Sequence, residues 1–487
     1  MHCNHLPLDK LPQTFRDAII IVRAIGLRYL WIDSLCIIQD SLEDWHFESS
    51  RMAEVYTDAY ITLAADLADN SDGGLFVTDN CSTNRPPQIR QFSQVDDDGA
   101  SHQIFIRRNF PVPGRPRDQA RSCYASEAVS KLSSRGWTLQ ENILSRRIVH
   151  FTNAELVWEC LASHECSCGG HVSTTTPSFT KKRYLGFILQ PFVVPGGRSH
   201  NALSPAEASY VWQCIVADFS RRQLTYPTDR LPALSGLAKT MPFPEVDYLA
   251  GLWAQSLIHD LIWIHGAGRE YIGWEYTRSE KHASEEPPSL DLVDARGRQT
   301  ARTNSRSGRI SGEYAPTWSW ASISGTVGYG IMSPSIVGVV HEWSIIAAIC
   351  TPVTSNPYGS VSRDSWLQAE GYVVPIGFTK QPGIENVEFA SSIRLRLDRM
   401  DGAFSGPNKV WMDAGIETNE WRAEGHEYYV LVIGCRAADG APLALILRDK
   451  LDRTGQDEYT RIGMACLDNW AGREWRVGGR RRVVTIF

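Results

Sequence analysis

The sequence predicts an α/β layer at the N-terminus and an α+β, β-rich region toward the C-terminus. Two observations carry this prediction. Helical and strand-like patterns alternate through the first 80 residues, which is typical of a parallel sheet covered by helices. In the second half, β-prone runs recur near residues 336–340, 371–376, 428–433 and 443–447, which indicates a fold built mainly of strands.

The first two elements follow from the local pattern. Pro12 suits the first turn of a helix, and Gly26 supplies a C-terminal stop. Between them, apolar residues recur at helical spacing, namely Phe15, Ala18, Ile19, Val22 and Ile25. Residues 28–33 then form an apolar, aromatic run, which we interpret as a buried strand that ends in the polar pair Asp33-Ser34.

A second helix is predicted from Ser41 to about Ala59. Ser41 places a hydroxyl at the N-cap with the acidic Asp44 three residues on, a variant of the capping box. One arc of this helix holds Trp45, Ser49, Met52, Tyr56 and Ala59, with Val55 at its edge, and Glu48 falls between Ala59 and Val55 inside that arc. A carboxylate there needs a partner, a raised pKa or a water-filled pocket. An ion pair between Glu48 and Arg51 or another arginine, or a solvent-exposed position at the edge of the apolar stripe, would stabilise the carboxylate equally well.

Later segments are predicted from the same kinds of pattern. We expect a strand over 60–65, a loop over 70–74, a surface insertion over 80–102, a loop over 111–121 and paired strands over 147–160. Residues 211–219 and 248–263 show helical spacing. Residues 278–311 are nearly free of large apolar side chains, so we expect a mobile linker or loop there.

The composition excludes several classes of protein. Lys and Arg number 49 against 55 Asp and Glu, a formal net charge of −6, so no nucleic-acid partner is expected. No apolar run approaches the roughly 20 residues that span a bilayer, and the N-terminus lacks a signal-peptide layout. The 11 cysteines form no disulfide framework, which indicates a reducing, cytoplasmic location.

Cysteine and histidine give two weaker candidates for a site. Cys36 follows the predicted strand, but no histidine is fixed beside it, so a packed core residue is expected. Weak candidates for a metal site are Cys160, His164, Cys166, Cys168 and His171. Their spacing lacks the paired Cys-x-x-Cys knuckles of zinc sites, so no metal is expected. Phosphate-loop, nucleophile-elbow and His-Glu-x-x-His motifs do not occur in the sequence.

An ordered series of motifs runs along the chain. The first five are LPQTFRDAI (11–19), RYLWIDSLCIIQD (28–40), the spaced residues of 44–59 that include Glu48 and Tyr56, GLF (74–76) and RGWTLQE (135–141). Together they resemble the core of the fungal heterokaryon incompatibility (HET) domain. The resemblance continues through DRLPALSG (229–236), GLW (251–253), YAPTWSWAS (314–322) and YTRIG (459–463).

This resemblance implies a role in fungal non-self recognition, in which the domain triggers growth arrest or cell death after incompatible strains fuse. The HET domain is distantly similar to the TIR fold, a flavodoxin-like α/β layer, and many TIR domains hydrolyse NAD through a glutamate. By that analogy the catalytic residue is Glu48, with Trp45 one turn earlier. The mouth of the site would be lined by Asp33, Ser34, Gln39 and Asp40. NAD is then a substrate, and no cofactor is expected.

Two other functions stay open. The chain could be a non-enzymatic signalling module that self-associates or docks on a protein partner, or a HET scaffold diverted to small-molecule metabolism. The family's usual first strand does not precede the first helix, so either the sequence is an incomplete gene model or the chain is a shortened form. In the shortened form we expect an incomplete parallel sheet with an exposed edge. The expected domains are a shortened HET domain (1–142), a mixed helical and strand continuation (143–277), the linker (278–311) and a β-rich C-terminal region (312–487).

Overall fold

The computed structural model of the protein describes residues 6–66, 68–76, 89–95, 101–107, 132–152, 156–161, 163–167, 205–265, 314–329, 339–341, 343–362, 364–380, 393–397, 409–413, 426–436, 440–450, 457–467 and 479–487. They belong to two compact units, one with the described residues between 6 and 167 and one with those from 205 to 487. The predicted loop over 111–121 and linker over 278–311 lie outside these ranges. Within them, no helix is long and apolar enough to cross a membrane.

Three helices lie between residues 6 and 66: α1 (Gln13–Ala24), α2 (Asp33–Cys36) and α3 (Leu42–Asp58). The predictions of α1 and α3 are confirmed together with their end signals. Gly26 has a φ of 78°, and the N–H of Leu27 donates to the Val22 carbonyl at 2.9 Å, which completes a Schellman cap. At the start of α3, Ser41 Oγ accepts from the N–H of Asp44 at 3.2 Å.

The prediction of a strand over 28–33 is wrong. The backbone is extended at Ile32, but no described strand pairs with this segment, and the chain enters α2 at Asp33. Tyr29 is 87% exposed, whereas Leu30 packs on the core of the first unit. An apolar, aromatic run becomes a strand only where a second strand supplies hydrogen bonds.

Four described strands form the sheet of the first unit, in the order β1 (Thr62–Ala64), β4 (Arg147–Phe151), β5 (Leu156–Cys160) and β6 (His164–Cys166). β1 is parallel to β4, and the other two pairings are antiparallel. The strands predicted over 60–65 and 147–160 are confirmed, and the α/β prediction holds in its coarse form. The sheet is mixed rather than parallel because β4, β5 and β6 follow one another through short connections.

Part of the predicted surface insertion is ordered as strands. β2 (Ile89–Val95) and β3 (Ser101–Arg107) pair antiparallel within the segment 80–102 and just beyond it. Helix α4 (Trp137–Leu144) then precedes β4 and packs against α3. The hydroxyl groups of Thr62 and Ser145 lie 2.8 Å apart, so a side-chain hydrogen bond joins the end of α4 to β1. The following strand, β4, also pairs with β1.

One face of this sheet packs on α1 around Ala18, Leu75 and Phe151. Asp17 lies at the edge of that core and is 3% exposed. Its carboxylate accepts from the Leu75 N–H at 2.8 Å and from the Gln13 amide at 2.6 Å. Because a buried carboxylate needs such donors, Asp17 fixes the loop at 70–76 to α1.

The second unit begins with short helices and hairpins. Its helices are α5 (Pro205–Phe219), α6 (Ser235–Thr240) and α7 (Leu257–Leu261), and its first strands are β7 (Tyr248–Leu249), β8 (Leu252–Trp253), β9 (Ile264–His265) and β10 (Val327–Gly328). The helix predicted over 211–219 is confirmed. The helix predicted over 248–263 is wrong for its first half, because Ala250 (φ 49°) and Gly251 (φ 93°) form a two-residue hairpin turn between β7 and β8.

The C-terminal part confirms the prediction of a β-rich region. Nine described strands share one sheet: β11 (Val339–His341), β12 (Ser344–Ile349), β13 (Trp366–Lys380), β14 (Ile393–Leu397), β15 (Lys409–Met412), β16 (Tyr428–Arg436), β17 (Pro442–Asp449), β18 (Glu458–Cys466) and β19 (Arg480–Ile486). The long β13 pairs with both β16 and β19, so β13, β16, β17, β18 and β19 close into a ring. Closure removes free edges from these strands.

Candidate functional site

A polar cluster forms where α3 packs on α4. The Tyr56 hydroxyl donates a hydrogen bond to the Glu141 carboxylate, and the charges of Asp33 and Arg135 also act on the phenol. Trp31 packs edge-on against the Tyr56 ring, with 5.8 Å between ring centroids. We call Asp33, Tyr56, Arg135 and Glu141 the Tyr56 cluster.

The protonation state of Tyr56 limits what this cluster can do. Burial, followed by the negative charges of Glu141 and Asp33, holds the pKa of the Tyr56 phenol well above its ordinary value, and Arg135 opposes them only in part. The phenol therefore keeps its proton at neutral pH. It serves as a hydrogen-bond donor, not as a base or a nucleophile.

The loop between α2 and α3 is held by side-chain hydrogen bonds. The Gln39 amide donates to the backbone carbonyl of Asp33 at 3.4 Å, and Asp44 Oδ2 accepts from the Ile38 N–H at 2.7 Å. The Asp33 carboxylate in turn accepts from the N–H of Ser34 at 2.6 Å. These bonds fix Asp33 at the start of α2, where its charge acts on Tyr56.

The residues predicted to line the mouth of a site take different positions. Asp33 contributes its charge to the Tyr56 cluster, and Gln39 closes the loop. Ser34 is exposed on α2, and Asp40 is exposed on the loop. Trp45 packs edge-on against Trp137 of α4, with 6.2 Å between ring centroids.

Glu48 lies on α3 between Trp45 and Tyr56. Viewed along the helix, Trp45 and Tyr56 are about 20° apart, and Glu48 stands roughly 60–80° to one side of them. Its Oε1 lies 4.0 Å from Nη1 of Arg51, and the two side chains are 22% and 52% exposed. This is the arginine pairing that the sequence left open as an alternative. At this distance and exposure it is a weak ion pair, and the carboxylate stays accessible to solvent.

A second buried cluster lies on the sheet of the first unit. Nδ1 of His150 is 2.7 Å from Asp66 Oδ2, and its Nε2 is 3.3 Å from Glu159 Oε2. The three side chains are between 6% and 15% exposed. Burial opposes a charged imidazole, but the hydrogen bonds and charges of the two carboxylates outweigh it and raise the pKa of His150 to about 9. His150 is therefore protonated at neutral pH.

Sequence reasoning assigned no role to the residues that complete these clusters. Tyr56, Arg135 and Glu141 all stand in the motifs, but nothing local indicates that Tyr56 meets Glu141. The contact between His150 and Glu159 could have been predicted from the paired strands expected over 147–160. They lie on adjacent antiparallel strands, with Glu159 opposite Ile148, so the period of two places both side chains on one face.

The cysteine and histidine candidates do not assemble into a site among the described residues. No group of His, Cys, Asp and Glu side chains suited to a metal ion occurs there. Cys160 Sγ accepts from the Ser163 N–H at 3.3 Å, and in β6 His164 lies opposite Glu159 and Cys166 opposite Val157 of β5. Two more of the candidates, Cys168 and His171, lie outside the described ranges. Cys36 is exposed, so its expected place in a core is wrong, because the segment before it is not a buried strand.

Comparison with known protein families matches residues 2–141 to the family described as Heterokaryon incompatibility protein (HET). The match confirms the predicted resemblance over that part of the chain. It runs from before α1 into α4, as far as Glu141, and therefore includes Glu48 and every member of the Tyr56 cluster. No curated protein and no solved structure matches the chain.

Proposed function

We propose that this chain acts in fungal heterokaryon incompatibility, as a cytoplasmic protein whose HET part triggers growth arrest or cell death. The match over residues 2–141 carries the proposal. Support comes from the way the matched motifs converge, since Tyr56 of α3 donates to Glu141 of α4 and lies within range of the charge of Asp33 of α2. Convergence of this kind is what a working site requires.

Induced expression of the full chain in a filamentous fungus tests this role. We expect growth arrest or loss of viability, measured as colony extension and dye exclusion. Normal growth at a protein level verified by immunoblot would contradict the proposed role.

The finer proposal is that the HET part is a TIR-like, flavodoxin-like layer that hydrolyses NAD, with Glu48 as the catalytic carboxylate. Two observations support Glu48. Its side chain is 22% exposed and so within reach of a ligand, and its only described ion pair, with Arg51, is long at 4.0 Å. Substrate-binding roles are proposed for Asp33, Ser34, Gln39, Asp40 and Trp45.

The proposed reaction needs only a carboxylate and water. The bond between the nicotinamide nitrogen and ribose C1 breaks, and its electron pair leaves with nicotinamide, which becomes neutral. Ionised Glu48 stabilises the oxocarbenium-like ribose that remains. Water then adds to C1 and loses a proton, giving ADP-ribose. NAD is consumed as a substrate throughout.

Release of nicotinamide from NAD by the purified chain measures this activity directly. Glu48→Gln keeps the size of the side chain and removes its charge, so we expect a loss of at least about 100-fold. Glu43→Gln is the matched control, because Glu43 is an exposed acid in the first turn of the same helix. Equal rates in Glu48→Gln and the wild-type chain would rule out Glu48 as the catalytic group.

A non-enzymatic role is the second candidate. The segment 28–32, which is extended at Ile32, has no described strand beside it, and Tyr29 on it is 87% exposed, which favours pairing with another chain. If Glu48→Gln arrests growth as strongly as the wild-type chain, association rather than NAD chemistry is the effector step. Sedimentation of the purified chain would then show concentration-dependent assembly.

A further inference from the structure

The second unit contains a buried arginine whose charge is not paired. Arg230 is 7% exposed and lies between two short turns of 3-10 helix, Pro227–Asp229 and Pro232–Leu234. Among the described residues, neither its Nε nor its Nη2 has a hydrogen-bond partner. Burying a cation without a partner opposes folding strongly. A buried polar group without a partner calls for an explanation, and a bound anion is one that fits a cation.

Aromatic rings hold the guanidinium of Arg230 in place. Its central carbon lies 5.3 Å from the Trp320 ring centroid and 6.0 Å from that of Phe219. Trp320 is itself fixed, because its Nε1 donates to the Gly251 carbonyl at 2.9 Å. A Cβ on Gly251 would lie 2.7 Å from that nitrogen, so the close approach depends on glycine. The guanidinium therefore sits in a preformed aromatic setting.

The chemistry of the free nitrogens defines the ligand. Nε and Nη2 form one edge of the guanidinium, and their two parallel N–H groups match the two oxygens of a carboxylate or a phosphate. Burial lowers the pKa of Arg230 to about 10, which leaves it charged at neutral pH. A neutral ligand would leave that charge uncompensated, whereas an oxyanion would satisfy both the charge and the N–H groups.

We propose that Arg230 anchors a binding site in the second unit for the carboxylate or phosphate group of a small anionic molecule. The site lies outside the part of the chain that matches the HET family. It is therefore independent of the NAD chemistry proposed for the first unit, and either can fail without the other.

Thermal unfolding of the full chain at constant ionic strength tests the site. After dialysis into sodium chloride, the chloride is replaced stepwise by sodium phosphate in one arm and by sodium acetate in the other. We expect a saturable rise in unfolding temperature of about 2–4 °C at ten times the dissociation constant. The arm that responds identifies the group as phosphate or carboxylate. No rise above chloride in either arm would overturn the proposal.

Three variants assign the response to Arg230. Arg230→Met removes the unpaired charge, so the rise should disappear while the unfolding temperature in chloride stays equal or increases. Arg230→Lys keeps the charge but loses the planar fork, so binding should weaken roughly tenfold or more. Arg481→Met is the control, because Arg481 is 53% exposed and pairs with Glu370 at 3.1 Å, and it should keep the full response. A rise that persists in Arg230→Met, or a large loss of stability in chloride, would show that Arg230 is structural.

Discussion

The Tyr56 hydroxyl joins α3 to α4 through its hydrogen bond to Glu141. Tyr56→Phe removes that donor and leaves a partly buried carboxylate without it, so we expect a loss of about 1–2 kcal/mol in the free energy of unfolding. Urea denaturation followed by circular dichroism measures the change. Tyr29→Phe, at a position 87% exposed, should change stability by less than about 0.5 kcal/mol. Equal effects of the two substitutions would contradict the contact.

His150 makes the stability of the first unit depend on pH. Its folded-state pKa of about 9 lies above the ordinary value of 6.5. The stabilisation is therefore complete below about pH 6.5 and is lost as the pH rises to about 9, with a total on the order of 3 kcal/mol. Denaturation of the wild-type chain and of His150→Gln at intervals between pH 6 and 10 measures it. The difference between the two chains should shrink as the pH rises, and a constant difference would count against the protonated imidazole.

The residues of the candidate site were predictable to different degrees. Asp33 could be predicted as a site residue because it ends an apolar run and is followed by a polar loop. The meeting of Tyr56 and Glu141 was not, since 85 positions separate them and only the packing of α3 on α4 brings them together. Arg230 stands in the motif DRLPALSG, but the sequence does not show that it lacks a partner, because that is a property of the folded surroundings.

Two positions show different reasons for a glycine: Gly26, which ends α1, and Gly74, in the loop at 70–76 that contacts α1. Both have a positive φ, 78° and 76°. At Gly74 an added Cβ would lie 2.8 Å from Asp17 Oδ2, whereas at Gly26 no described atom lies within 4 Å. We expect Gly26→Ala to lose about 1 kcal/mol of stability and Gly74→Ala at least about 1 kcal/mol more.

Urea denaturation of both glycine variants checks this difference. Only Gly74→Ala disturbs Asp17, which accepts from the Leu75 N–H, so only that variant should expose the loop at 70–76 to proteolysis. Similar losses in the two variants would mean that Asp17 moves aside without consequence.

Helices with local end signals were predicted well, and elements that depend on distant pairing were not. Ser41 and Gly26 act within one turn of the helix they cap, so α1 and α3 could be read from sequence. The run 28–33 has strand composition but no described partner strand, and composition cannot supply one. The hairpin at Ala250 escaped prediction because a non-glycine residue takes a left-handed conformation there.

Arg461 ties distant parts of the second unit together. It is fully buried, and its guanidinium donates to the carbonyls of Leu261 and Trp263 at 2.6 and 2.7 Å. Its Nε lies 3.3 Å from Asp413, which is 2% exposed. Arg461 thus faces a carboxylate and donates through both Nη1 and Nη2, whereas no described ion pair or hydrogen bond reaches Nε or Nη2 of Arg230.

Substituting methionine at these two arginines should therefore have opposite effects. Arg461→Met leaves Asp413 buried without its cation and removes two carbonyl partners, so we expect a loss of about 3–5 kcal/mol. Arg230→Met should lose nothing. Unfolding in guanidinium chloride measures the stability of both variants. A similar loss in both would show that the burial of the arginine, not its pairing, determines the change in stability.

The parallel pairing between β1 and β4, the only one among the described strands of the first unit, has a consequence for how the sequence can vary. Thr62 and Ser145, whose hydroxyls meet beside this pairing, are 83 positions apart. The entropy lost on closing such a segment rises only with the logarithm of its length, so doubling it would add about 0.6 kcal/mol. The stretch between β1 and β4 can therefore accept a whole additional domain at little thermodynamic loss, and chains that share this sheet should differ in length there first.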